Sequence, residues 1–81
     1  MSENLNKYNN VFRSVFCLDK DTKLEDMQLK ISDQWDSVGH INLISAIEED
    51  FGIDMEPEDM FAFTSYCKGI EILSQTYNIA F

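Results

Sequence analysis

A small all-α bundle is predicted, with three main helices, one short helix and a long loop between the first two. Apolar residues recur at helical spacing in three separate stretches. No stretch alternates with a period of two, and only one Pro and three Gly interrupt the 81 residues. A typical domain already takes about 100–150 residues, so residues 1–81 are expected to form one. The hydrophobic fraction of 44% is ordinary for a globular chain and too high for a disordered one.

Each element follows from its own pattern. Leu5, Tyr8, Phe12 and Val15 lie on one helical stripe, widened by Val11 and Phe16, which predicts a first helix over about Glu3 to Leu18. Asp19 to Trp35 has no sustained periodicity beyond the isolated Leu24, Met27, Leu29 and Ile31. Thr22 and Glu25 there have the spacing of a capping box for one short turn. Loops this long are uncommon and often functional. Val38, Ile41, Ile44, Ile47 and Phe51, with Leu43 and Ala46 alongside, then predict a helix over Ser37 to Phe51. Asp36 or Ser37 is its N-cap and Gly52 its stop. Pro57 followed by Glu58 and Asp59 has the form of a first turn, so a short helix over Pro57 to Phe61 is expected. Thr64 or Ser65 caps the last helix, whose stripe is Tyr66, Ile70, Leu73 and Tyr77. Phe12, Phe16, Phe51, Phe61, Phe63 and Tyr66 are expected to be core.

Charge and cysteine usage exclude several function classes. Fifteen acids against six bases give a net charge of −9, which argues against nucleic-acid binding. The imbalance is local: residues 1–35 carry a net −1 and residues 36–81 a net −8, with seven acids among the twelve residues Glu48 to Asp59. A field of this kind keeps a small protein soluble and steers a basic partner. Cys17 and Cys67 lie fifty residues apart with no CxxC pair. Two reduced thiols, at least one buried, in a cytoplasmic protein are expected. No apolar run approaches the ~20 residues of a membrane span, and no signal-peptide pattern is present, so no membrane insertion is expected.

Catalytic and metal motifs fail on their spacing. A calcium loop opened by Asp19 and Asp21 would place Leu24 where Gly is needed and Lys30 where a bidentate Glu belongs. One opened at Asp50 ends on Phe61, so no metal site is predicted. Ser37 and His40 are three apart on one helix and have the residue types of a nucleophile and its base. However, Trp35 replaces the first Gly of a nucleophile elbow, and no acid is placed to orient the imidazole. His40 is expected to be a partly exposed surface residue. Ser37 instead opens the most regular helix, where free N–H groups and the helix dipole favour an anionic substituent. The site suits attachment of a phosphate group better than catalysis.

The run Trp35-Asp36-Ser37-Val38-Gly39-His40, continuing to Glu48-Glu49-Asp50-Phe51-Gly52-Ile53, resembles the acyl carrier proteins. The resemblance covers nearly the whole chain: first helix, long loop, Asp-Ser-aliphatic signature, acidic second helix and Phe-Gly-Ile exit. It implies a non-enzymatic carrier in which Ser37 bears a 4′-phosphopantetheine arm donated by coenzyme A. Asp36 would help to position the phosphopantetheinyl transferase and its metal. The arm would carry acyl or aminoacyl groups as thioesters between enzymes of a biosynthetic pathway. It further implies acyl-loading and acyl-transferring partners with basic faces that read Asn42, Ser45, Ala46, Glu48, Glu49 and Glu56. An acyl pocket between the helices would be lined by Leu43, Ile47, Phe63 and Ile70, and the carrier would be a monomer. Gly39, His40, Asn42 and Ser45 differ from the residues common in fatty-acid members and suggest a dedicated pathway, such as polysaccharide or specialised-metabolite assembly. An acidic helical adaptor without a prosthetic group is the alternative.

Overall fold

The computed structural model describes residues 3–31 and 35–81; residues 32–34 of the expected loop lie outside the described residues. The described chain is all-helical. Helix α1 spans Glu3–Val15, a 3-10 turn spans Leu24–Asp26, α2 spans Ser37–Phe51, α3 spans Pro57–Ala62 and α4 spans Tyr66–Thr76.

Helix α1 buries Tyr8, Val11 and Phe12, and ends three residues before the expected Leu18. The reason is local. Cys17 takes a left-handed conformation at φ 54°, and the Leu18 N–H donates to the Arg13 carbonyl at 2.9 Å. That six-to-one bond closes a Schellman-type end, with Cys17 where Gly usually stands. Both cysteines are exposed, against the expectation of a buried thiol. Cys17 lies beyond the helix end, and Cys67 sits on the outer side of α4 near the Glu25 carbonyl.

The long loop is more ordered than its sequence predicts. The Thr22–Glu25 capping box does not start its short turn. The turn begins one residue after Lys23, which makes no side-chain cap. Leu24 and Met27 are buried. The backbone is tied to the start of α4: Leu29 N–H donates to the Thr64 carbonyl at 2.9 Å and Tyr66 N–H to the Met27 carbonyl at 3.1 Å. Between them Gln28 and Ser65 form an isolated antiparallel bridge. The segment from Leu24 to Leu29 is therefore packed against the start of α4.

Helix α2 has the predicted bounds. The Asp36 carboxylate accepts from the Gly39 N–H at 2.8 Å, and Gly52 leaves the helix at φ 65°, where a Cβ would be strained. Its buried face is Leu43, Ile44 and Ile47. Val38 and Ile41, expected on that stripe, are 68% and 67% exposed. The core face is rotated toward Leu43 because α1 packs on that side.

Helix α3 runs one residue past the expected Phe61, which is 82% exposed and not core, while Phe63 is wholly buried. No side chain of Glu56 caps α3. The Tyr77 hydroxyl reaches across from beyond α4, accepting from the Glu56 N–H at 2.9 Å and donating to Asp59 at 2.7 Å. Ser65 is the cap of α4, accepting from the Lys68 N–H at 3.0 Å. Helix α4 buries Tyr66, Gly69, Ile72 and Leu73, whereas Ile70 and Tyr77 of the expected stripe are half-buried.

Aromatic rings fill the centre. Tyr8 packs on Phe12, Tyr66 and Phe81 at centroid distances of 5.0, 5.0 and 5.5 Å. Its hydroxyl donates to the Tyr66 carbonyl at 2.7 Å, so the one polar atom of a wholly buried ring is satisfied. Trp35 is fully buried too, edge-on to Phe12 at 5.3 Å. The single tryptophan thus anchors the end of the loop immediately before α2.

Candidate functional site

Helix α2 begins where the loop leaves the core at Trp35. Asp36 is its N-cap and Ser37 its first helical residue, so capping falls to the carboxylate and not to the hydroxyl. The Ser37 side chain is exposed and has no hydrogen-bond partner among the described residues. Only one Asp36 oxygen, Oδ1, is used in the cap. Exposed Asp36, Ser37 and Val38 therefore form one accessible corner on a rigid helix end.

His40 lies one turn below and is not free to act as a base. The Trp35 indole N–H donates to its Nδ1 at 3.0 Å. An indole nitrogen can only donate, so Nδ1 carries no proton. Nε2 then donates to the Met60 carbonyl at 2.8 Å. Both ring nitrogens are committed, and the ring stacks on Trp35 at 6.1 Å. The half-buried His40 is a strut joining the loop end, α2 and α3. Sequence pattern gave no sign of this, because the partner carbonyl lies twenty residues away.

The residues expected to meet partner enzymes fall on two sides of α2. Asn42, Ser45, Glu49 and Glu56 are exposed, and Ala46 is half-buried. Ala46 and Glu49 border a depression of about 360 Å³ against α1, shared with Asn10, Ser14 and Asp50. Ser45 and Glu48 border the opposite, α3 side. Glu48 is partly internal: its Oε2 accepts from the Met55 N–H at 2.9 Å and so fastens the loop between α2 and α3. Of the other acids of this region, Glu49, Asp50, Asp54, Glu56 and Glu58 are exposed, and Asp59 is half-buried beside the Tyr77 hydroxyl. No Lys or Arg occurs between Lys30 and Lys68. Lys7 reaches the end of α2 from α1, with Nζ 3.3 Å from the Asp50 carbonyl and over the Phe51 ring.

The four residues expected to line an acyl pocket belong to the packed interior. Leu43, Ile47 and Phe63 have no exposed surface, and Ile70 packs half-buried against them. The open cavity, about 450 Å³, lies outside them between α2 and α3. Ile41, Ile44, Met60, Phe61 and Pro57 form its walls, with His40, Ser45 and Glu48 at its edges. A signal for it was present in the spacing: Ser37, Ile41, Ile44, Ser45 and Glu48 share one helical face.

No described helix is long and apolar enough to cross a membrane. Compared with protein-family models, curated proteins and solved structures, the chain matches none.

Proposed function

We propose that this chain is a non-catalytic acyl carrier protein whose Ser37 bears a 4′-phosphopantetheine arm. The observation that carries the reading is the uncommitted Ser37 hydroxyl at the first position of α2, left free because Asp36 does the capping. A phosphodiester on that oxygen would sit beside the free N–H groups of the helix start, where negative charge is favoured. The carrier itself needs no base, which agrees with a His40 whose ring nitrogens are both engaged. The phosphopantetheinyl transferase would supply the metal and proton acceptor, with Asp36 Oδ2 available to it, and coenzyme A would donate the arm.

The arm explains why a bare hydroxyl is insufficient. An acyl ester of Ser is stable and a poor donor, whereas a thioester on a flexible arm passes its acyl group onward. The exposed acids from Glu49 to Glu58 would steer acyl-loading and acyl-transferring enzymes with basic faces. A cytoplasmic, monomeric carrier serving a dedicated biosynthetic pathway is the setting in which we place it.

The test is intact mass after incubation with a broad-specificity transferase and coenzyme A. One phosphopantetheinyl group is expected on the wild type and none on Ser37→Ala. An unchanged wild-type mass, under conditions that modify a control carrier, overturns the reading and leaves an acidic adaptor in its place.

A further inference from the structure

Helix α3 is lightly held. None of its residues is buried: Asp59, Met60 and Ala62 are half-buried and the rest are exposed. Segments with few buried apolar contacts open locally before the whole fold does. Two side chains from elsewhere tie α3 down. The Tyr77 hydroxyl bonds to the Glu56 N–H and the Asp59 carboxylate at its start. The His40 imidazole bonds through Nε2 to the Met60 carbonyl, 2.8 Å away, in its second half.

The His40 tie carries a chemical condition that the Tyr77 tie lacks. Nδ1 accepts from the Trp35 indole N–H at 3.0 Å, and an indole nitrogen can only donate. A proton on Nδ1 would set two N–H groups against each other across that distance. The indole cannot give way, because Trp35 is wholly buried and packed by Phe12, Phe16 and Phe63. The imidazolium must turn away instead, and Nε2 leaves the Met60 carbonyl with it.

The surroundings receive that charge. Asp36 stands at the cap of α2, Glu48 lies farther along the same groove, and Glu56, Glu58 and Asp59 belong to the start of α3. The Tyr77 phenol beside Asp59 is neutral in acid. No Lys or Arg occurs between Lys30 and Lys68. An imidazolium turned outward here therefore meets only negative neighbours from α2 and α3.

We infer that His40 is a proton-operated latch: protonation of Nδ1 in mild acid frees α3 from the start of α2 while the rest of the bundle stays folded. The sign follows from proton counts. The latched state holds no proton on Nδ1 and the released state takes one up, so falling pH favours release. The gain is up to tenfold per unit below about pH 6.5. Leaving the buried indole N–H unpaired opposes release by about 5- to 150-fold. The two balance at about pH 4.5–6, where carboxylates are still mostly ionised. His40 is the only histidine in the chain, so no other side chain of ordinary affinity titrates with it. The latch operates whether or not Ser37 carries an arm.

The experiment is a titration of the unmodified protein from about pH 8 to about pH 4.5, followed by amide NMR and hydrogen exchange. The Trp35 indole N–H and the Met60 and Phe61 amides should shift together. The opening equilibrium of the α3 amides should rise by up to tenfold per pH unit. Amides of Tyr8, Leu43 and Leu73 should stay protected. His40→Gln, which cannot take up the proton, should show no acid step. Tyr77→Phe, which removes the other tie, should release α3 at higher pH than the wild type, and it decides the question if His40→Gln fails to fold. A flat titration overturns the inference. So does an acid step that persists in His40→Gln, which would place the proton on a carboxylate. Loss of protection at Tyr8, Leu43 and Leu73 in the same step overturns it too, since the whole bundle would then be unfolding. A Tyr77→Phe step at the wild-type pH also overturns it, because α3 is then not what the proton releases.

Discussion

The Trp35 indole N–H donates to His40 Nδ1 at 3.0 Å, and the opposite side of the same imidazole bonds to the Met60 carbonyl. Through one ring the buried end of the loop, the first turn of α2 and α3 hold a fixed relation. The corner bearing Ser37 is thereby set by the core and not by the loop.

That relation gives the first prediction. His40→Phe fills similar space but leaves the indole N–H of a fully buried Trp35 without a partner. A buried donor left unpaired costs about 1–3 kcal/mol. Urea denaturation should show a loss of that size, and an unchanged midpoint would mean that the bond contributes nothing.

Gly69 sets how closely α4 approaches the centre. A Cβ there would fall inside contact distance of the Tyr8 hydroxyl and the Phe63 ring. Both rings are wholly buried and cannot swing aside. Ala improves helix propensity by about 1 kcal/mol, but overpacking typically costs about 1–3 kcal/mol. Gly69→Ala should therefore be net destabilising in thermal or urea unfolding, and a more stable variant would show that the helix can move away.

Alkaline pH should unfold the protein steeply. Burial, and then the nearby Tyr66 phenol, push the Tyr8 phenol well above its ordinary value of 10.0. In the unfolded chain Tyr8 ionises near that ordinary value, so above it the unfolded state has released a proton that the folded state still holds. The contribution is complete below about pH 10 and declines by up to ~1.4 kcal/mol per pH unit above it. Stability measured from pH 9 to 11 should fall accordingly. Tyr8→Phe should be less stable at neutral pH and show a shallower alkaline slope; an equal slope would place the effect on other groups.

Salt should act in the opposite direction. Residues 36–81 carry a net −8, and the only ion pair among the described residues is Lys68–Glu71 at 3.5 Å. Repulsion among the exposed acids is screened over about 10 Å at 0.1 M salt. Added salt or magnesium should raise the melting temperature. A flat or falling titration would show that the charges are too dispersed to matter.

The last expectation depends on the carrier reading. Glu49 and Glu56 are exposed and lie on the two sides of the acidic turn. Exposed charges contribute only about 0–1 kcal/mol to stability, but their summed field governs encounter. Glu49→Lys with Glu56→Lys should leave the circular dichroism spectrum intact and slow acyl loading in low salt, with the difference shrinking in high salt. Loading at the wild-type rate in low salt would reduce this surface to a solubility device.

Sequence alone determined what depends on neighbours along the chain. Helical spacing gave the order and the starts of the four helices, Asp36 and Gly52 marked the ends of α2, and Pro57 marked the start of α3. The exposed hydroxyl at Ser37 was readable for the same reason, since a helix start is a local event. Tertiary structure decided everything that pairs distant residues. It turned Val38, Ile41 and Phe61 outward, ended α1 early at a left-handed Cys17, and folded the long loop against α4 through Leu29 and Tyr66. It also committed His40 to Trp35 and Met60, and bonded Tyr77 to Asp59 and Glu56 at the start of α3, 18 and 21 residues upstream. Periodicity reports which residues share a helix face, but not which face the rest of the molecule will cover. That choice is made by packing between elements, where turning a helix about its axis by the angle between neighbouring residues, about 100°, moves a whole stripe from core to water.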